Sequence, residues 1–275
     1  MDSITHINLN SSVCLLCKNT GMDFVNILRD DDTRCAAKCK YCGHIQLAPL
    51  PTAEEDEQFY KTNQMMKNVF KDIDTLQTEE QLMYRMELFV REQADTLCKY
   101  LPVPSDDYRI LEIGSGYGWL PQFLTEKGYN VTGIEINEVK RELCKKRCGI
   151  GLSNCNILID EPNNRHERAY DAVLIMQTLE HIYDPKLFLT RAGQLLKSGG
   201  TIYVDVPNYN DWYKKYQNEY KNWSFFRSHV SYFTPEMLSS VLVECGFNNI
   251  TVYGHQPHSI ENALHWWRNK EPNLL

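Results

Sequence analysis

Arg109-Ile-Leu-Glu-Ile113 is a short apolar run that passes into Gly114-Ser-Gly116-Tyr-Gly118 and then into a helical stretch from Trp119 to Lys127. A strand that turns into a helix through three glycines constrains the fold more than any other stretch of this chain. Such a turn brings bare backbone close to a ligand and aims the first amides of the helix at it. The spacing is G-x-G-x-G behind an acid, Glu112, and differs from the G-x-G-x-x-G of dinucleotide loops. A second strand, Asn130–Ile134, ends at Glu135, 21 residues after Gly114. An acid at that place can accept hydrogen bonds from both hydroxyls of a ribose.

The loop and Glu135 alone suit a nicotinamide dinucleotide or S-adenosylmethionine equally, and later segments separate the two. Asn156-Ile-Leu-Ile-Asp160 has the form of a third strand ending in an acid, placed to meet an adenine amino group. Tyr170–Met176 reads as a fourth strand leading into Gln177-Thr-Leu-Glu-His181-Ile-Tyr-Asp-Pro185. A helix through Leu196 and a fifth strand over Gly199–Pro207 follow, then a helix over Thr234–Cys245 and a strand ending near Tyr253. Strands alternating with helices predict an α/β fold with a doubly wound, mostly parallel sheet and a ligand crevice at the carboxyl ends of its strands. The glycine loop, Glu135, Asp160 and Gln177 all fall at such ends.

In order and together, L-E-I-G-S-G-Y-G (111–118), G-I-E (133–135), Asp160, Y-D-A-V-L-I-M-Q-T-L-E-H (170–181) and L-L-K-S-G-G-T-I-Y-V-D-V-P-N (195–208) resemble the class I S-adenosylmethionine-dependent methyltransferases. The likeness runs over about residues 80–255. It implies a Rossmann-like domain that binds S-adenosyl-L-methionine and transfers its methyl group. Gly114, Ser115, Gly116 and Gly118 would wrap the methionine part, Glu135 the ribose, and Asp160 the adenine. Gln177 would line the floor near the sulfonium, with Glu112 and Ile136 completing the cofactor-binding set. A catalytically silent module that keeps the cofactor fold for partner recognition is the alternative from another class.

Ten cysteines are many for a chain that opens on a polar Met1–Asn10 with no secretory signal, a start that points to the cytoplasm. Cys14-Leu-Leu-Cys17 and Cys39-Lys-Tyr-Cys42 form two C-x-x-C pairs separated by 21 residues. Two such knuckles supply four thiolates, the ligand set of a closed structural zinc site with no open position for catalysis. Buried free thiols or a redox pair is the plainer reading, but a redox motif needs one C-x-x-C after a strand of a βαβ unit. Cys35 and His44 are spare ligands. Residues 1–50 are thus expected to be a zinc module, 51–105 linker and covering helices, and 106–275 the cofactor-binding domain. Gln46–Tyr60 reads as linker, and Thr78 opens a helix with a T-E-E-Q capping box.

A cysteine module ahead of this fold resembles the sugar C-methyltransferases and related glycan-precursor enzymes, which act on nucleotide-linked sugars. Their E-H pair near the transferred methyl corresponds to Ser228-His229 here, with the acid replaced. His229 is the first candidate base and His181 the second, since a histidine near neutrality suits proton removal. An aromatic insertion over about 208–233 interleaves Tyr209, Trp212, Tyr213, Tyr216, Tyr220, Trp223, Phe225 and Phe226 with Lys214, Lys215, Lys221 and Arg227. Its rings suit sugars or bases and its cations a diphosphate, although half of the rings fit equally well in a core. The acceptor is therefore expected to be a small nucleotide- or phosphate-linked carbohydrate, with a quinone-type or natural-product O-methyl acceptor as the alternative. A net charge of −7 argues against nucleic acid, and no apolar run approaches the ~18 residues of a membrane span. No seventh strand is legible in Gln256–Leu275, where His258, Asn262 and Trp266 are read as substrate or partner contacts.

Overall fold

The computed structural model describes residues 7–61, 79–160, 168–256 and 260–271. Strands β1 (Met22–Ile27), β2 (Cys35–Cys39) and β3 (Ile45–Ala48) form an antiparallel meander in that order. The small and aliphatic side chains of C-A-A-K-C and I-Q-L-A let β2 and β3 be covered on both faces. The stretch expected to be linker is instead β3 followed by helix α1 (Ala53–Lys61). Thr52 starts α1 with a reciprocal capping box: its Oγ1 accepts the Glu55 amide at 3.2 Å, and Glu55 Oε2 accepts the Thr52 amide at 2.7 Å. The acidic run that suggested a solvated linker sits in the first turn of α1, where the helix dipole favours it. Helix α2 (Glu79–Leu97) follows; its expected cap, Thr78, lies outside the described residues.

The second sheet is built from β4 (Arg109–Ile113), β5 (Asn130–Ile134), β6 (Tyr170–Met176) and β7 (Leu196–Asp205), all parallel, in the order β5-β4-β6-β7. Central strands of a parallel sheet are covered on both sides, and the alternation within β4 and β6 sorts their residues onto two cores. Ile110, Ala172 and Leu174 join Ala94 and Leu97 of α2 and Trp119, Leu120, Phe123 and Leu124 of α3 (Trp119–Glu126). Leu111, Ile113, Val173 and Ile175 face the other way, onto Phe188, Leu189 and Ala192 of the helix Pro185–Leu195 and Val241 and Leu242 of the helix Pro235–Glu244. That second core also holds Cys14, Leu16, Met22, Cys39 and Ala48, so the N-terminal sheet shares its interior with one face of the parallel sheet.

Two expected strands do not form. Asn156–Asp160 is a turn: Asp160 Oδ2 accepts the Asn156 amide at 2.7 Å, and Asn156 Oδ1 accepts the Leu158 amide at 3.1 Å. Asn and Asp side chains offered next to their own backbone compete with a ladder. Among the described residues, the outer edge of β5 instead carries a single parallel bridge, Ile134 to Ser153. Residues 251–256 run exposed without a ladder, which leaves β7 at the sheet edge among the described residues. β7 starts earlier than expected because a bulge lies opposite Asp171: Tyr170 pairs with Leu196 but Ala172 with Thr201.

The remaining strand, β8 (Ser231–Tyr232), is the fourth strand of the N-terminal sheet, pairing Ile45 with Tyr232 and Gln46 with Ser231. The aromatic insertion before it folds as two short helices, Trp212–Tyr216 and Asn218–Trp223. Trp266 of the C-terminal helix Ile260–Asn269 is buried against Tyr220 and Trp223, at 5.3 and 5.6 Å between ring centroids. Its expected place in substrate contact is therefore corrected: the indole packs the insertion. His258 lies outside the described residues. Among the described residues no helix is long and apolar enough to cross a membrane.

Candidate active site

The glycine loop turns at the carboxyl end of β4 with Gly114 at φ 85°, Gly116 at 53° and Gly118 at 75°. These three glycines serve different ends. A methyl group on Gly114 would overlap Thr178, and one on Gly118 would overlap Cys144, so both glycines let elements close in from behind. A Cβ on Gly116 would meet nothing within 4 Å, so this residue faces open space on the ligand side. Gly114 and Ser115 both donate to Ile134 O at 2.9 Å, which ties the loop to the end of β5. There Glu135, buried, accepts the Gly116 amide on Oε2 and the Asn137 amide on Oε1, each at 2.8 Å. A carboxylate keeps further lone pairs free after two such bonds, so the residues fit a nucleoside diol. Ile136 is exposed beside it, and Arg141 holds the carbonyls of both residues. Glu112 is buried behind the loop; burial chiefly pushes its carboxyl up to about 7, and Glu135 adds to the push. Asp160, in its turn, is exposed and accepts the Asn156 amide, so it stands off the sheet rather than at a strand end.

At the end of β6, Gln177 takes a left-handed φ of 50°, unusual for a residue with a Cβ. Its amide donates to Asp205 O at 2.8 Å and its Nε2 to Asp205 Oδ2 at 3.0 Å. Gln93 of α2 donates to the same oxygen at 2.7 Å. Asp205 and Gln93 escaped sequence reasoning; the signal for Asp205 was its place at the carboxyl end of a parallel strand. A cavity of about 1970 Å³ opens beyond, lined among others by Arg29, Gln93, Gln177, Asp205, Lys214 and His229.

His229 and His181 are brought together, with ring centroids 5.1 Å apart and edge to face. His181 Nδ1 lies 2.6 Å from Ser228 O, and its Nε2 is 3.9 Å from Glu180 Oε1. One ring nitrogen each of His181 and His229 and one carboxyl oxygen of Glu180 lie within 4.8 Å of one another. Burial holds His181 down to about 4 and His229 well below its ordinary value, so both are neutral near pH 7. Glu180 is buried, and burial raises its carboxyl to about 8.

The segment that carries His229 is held mainly by the N-terminal sheet. Leu47 donates to Val230 O at 3.0 Å, Arg29 to Phe225 O at 3.0 Å, and Arg227 to Asp30 Oδ1 at 2.9 Å. The Arg227 side chain is buried over Phe59 and paired with Asp56 at 2.7 Å, which removes it from the cations offered to an acceptor. Lys214 donates to Asn208 O at 3.0 Å and is pushed down to about 8 by burial. Arg29, which no local pattern singled out, lies 4.4 Å over Trp223 and 4.8 Å over Phe226 at the cavity wall. Tyr220 and Phe225 are core residues, whereas Trp212 and Tyr216 are exposed.

The four paired cysteines converge. Cys14 and Cys42 sulfurs are 3.5 Å apart, Cys17 and Cys39 sulfurs 3.6 Å, and all four lie within 4.8 Å of one another. A zinc ion with bonds of ~2.3 Å to four sulfurs sets them roughly 3.8 Å apart, so the separations fit. The Tyr41 amide donates to Cys39 Sγ at 3.4 Å and Asn19 Nδ2 to Cys17 Sγ at 3.5 Å, as expected for thiolates in knuckles. Cys35 and His44 stand apart from the cluster: Cys35 is a buried strand residue, and His44 pairs with Ser231 Oγ at 3.2 Å.

The methyltransferase domain family matches this chain over residues 83–252. Curated relatives include ubiquinone biosynthesis O-methyltransferases from Cronobacter sakazakii and Saccharophagus degradans. Each is 30% identical over 105 residues, covering 37% of this chain and 43% or 44% of the relative. The chain thus spans less than half the length of the curated relatives it matches. Among solved structures, a SAM-dependent methyltransferase from Archaeoglobus fulgidus aligns with 63% of this chain and 83% of its own at 21% identity and a TM-score of 0.47, too loose to speak about the site.

Proposed function

The chain belongs to the methyltransferase domain family; from that premise we propose that it is an S-adenosylmethionine-dependent methyltransferase of class I whose acceptor is a small phosphate- or nucleotide-linked carbohydrate. The observation that carries this reading is the wall of the large cavity, where two cations, Arg29 and Lys214, stand with His229. An anionic acceptor group would meet Arg29 and Lys214, and its reacting hydroxyl or carbon would lie toward the histidines.

S-adenosylmethionine supplies a methyl group on a sulfonium, and the chain supplies positioning and proton removal. Gly116 leaves room for the ligand, Glu135 would hold the ribose hydroxyls, and Gln177, fixed by Asp205, would border the reacting end. His229 would take the acceptor's proton, with His181 beside it. Glu112 and Ser115 would support the loop, and Asp160 and Ile136 would border the adenine side. Cys14, Cys17, Cys39 and Cys42 would hold a structural zinc ion. We expect the enzyme to act in the cytoplasm, without nucleic acid or membrane partners.

A second reading, O-methyl transfer to a quinone precursor, is favoured by the names of the curated relatives. Assaying methyl transfer to nucleotide sugars against quinols separates the two. Turnover of quinols alone would sink the carbohydrate reading. In the productive reaction His229→Asn should abolish turnover while sparing cofactor affinity measured by calorimetry; near-normal turnover would remove His229 as base.

A further inference from the structure

At position 228 a serine stands next to His229, so sequence leaves this histidine without a neighbouring acid. The tertiary structure supplies one from elsewhere. Glu180, on the turn after β6, is 1% exposed, and neither of its carboxyl oxygens meets a hydrogen-bond partner among the described residues. A buried carboxyl without partners is costly, and a leucine would fill the same volume more cheaply. The Ser228 carbonyl can only accept, so His181 Nδ1 carries its proton there and Nε2 presents a lone pair. That lone pair lies 3.9 Å from Glu180 Oε1, and His229 completes the group within 4.8 Å. The backbone fixes the same arrangement, since Val230 donates to Glu180 O at 2.8 Å.

We propose that Glu180 is the positioning carboxyl of the His181–His229 pair: it orients the imidazoles and balances the charge that forms when one of them takes the acceptor's proton. The proposal rests on the methyltransferase reading of this site. In the transfer the acceptor's bond to hydrogen breaks and its proton moves to His229. The freed electron pair bonds the methyl carbon, and the electrons of the carbon–sulfur bond stay on sulfur. The imidazolium then faces Glu180, as a buried aspartate faces the histidine of a hydrolase triad. Other charges around the group are Asp205, which acts on Glu180, Lys140 on His181, and Lys214 and Arg29 on His229. Burial keeps Glu180 protonated until about pH 8; the imidazolium draws that value down, the carboxyl proton leaves through the cavity that His229 lines, and the resulting carboxylate balances the positive ring.

The test uses the full chain and needs no acceptor. Infrared pH-difference spectra should show a protonated carboxyl band that is lost as pH rises through about 8 and is absent from Glu180→Gln. The Cε1 proton resonances of His181 and His229 should follow the same inflection, lose it in Glu180→Gln, and keep it, shifted, in Glu180→Asp. Histidine titration curves identical in wild type and Glu180→Gln would overturn the proposal. So would an equivalent of bound metal that disappears with Glu180→Gln, because the three groups would then be cation ligands. Should Glu180→Gln fail to fold, Glu180→Asp decides: curves that do not move with the shortened acid overturn the pairing. Neither measurement involves methyl transfer, so its failure leaves the enzymatic reading standing, and failure of the acceptor assays leaves this one testable.

Discussion

The glycines of the loop carry separable burdens, and substitution should part them. Gly116→Ala places a methyl group in open space at a left-handed φ, a strain of about 1–2 kcal/mol. Gly118→Ala adds an overlap with Cys144 to the same strain. Gly116→Ala should therefore lose S-adenosylmethionine affinity by calorimetry with a thermal midpoint only a few degrees lower, whereas Gly118→Ala should fall further in melting. Glu180 makes a second prediction at this scale. Its folded pKa is raised, so the unfolded chain ionises it above its ordinary 4.5 while the folded chain keeps the proton to about 8. The folded state thus loses stability from this group as pH rises between those values. Glu180→Gln removes that loss, and its melting temperature relative to wild type should climb from pH 5 to 8. A flat difference would mean that the carboxyl is ionised or solvated in the folded state.

Strand β8 links two elements that look independent in sequence. Its pairing with β3, and the bonds from Leu47 and Arg29, make the N-terminal sheet the holder of the His229 segment. The zinc ion proposed for the four cysteines would pin the same sheet at β2 and the turn into β3. Cys39→Ser, or metal removal by chelation, should therefore raise amide exchange at 228–232 and stop methyl transfer while S-adenosylmethionine still binds. Loss of cofactor binding in step with transfer would show that the sheet acts on the glycine loop as well. The Asp56–Arg227 pair belongs to the same clasp. Asp56→Asn should cost ~2–3 kcal/mol in denaturant unfolding, because among the described residues an Arg227 6% exposed then keeps the more distant Asp31 as its ion-pair partner.

For the molecule as a whole, the shared core means that the two sheets are not free units. Cys14, Leu16 and Met22 pack in one cluster with Leu111, Ile113 and Val173. A chain lacking residues 1–50 should expose that face and aggregate, which light scattering would detect; a monodisperse, cooperatively melting remainder would contradict this. By itself, the sequence determined the parallel strands β4, β5 and β6, the glycine turn and the four convergent cysteines, and it singled out His181 and His229 without placing them together. Those features are written in short runs whose alternation, glycines or paired spacing dictate local geometry. It misled at Asn156–Asp160, where side chains next to their own backbone outcompete a ladder, and at Gln46–Tyr60, where a capped helix carries the acidic run. Only the tertiary structure decided that β8 joins the N-terminal sheet, that Arg227 and Trp266 are structural, and that Glu180 and Arg29 face the histidines and the cavity. These contacts join residues tens to almost two hundred positions apart, and nothing local at either end encodes the pairing: it follows from which apolar faces the packed layers must cover.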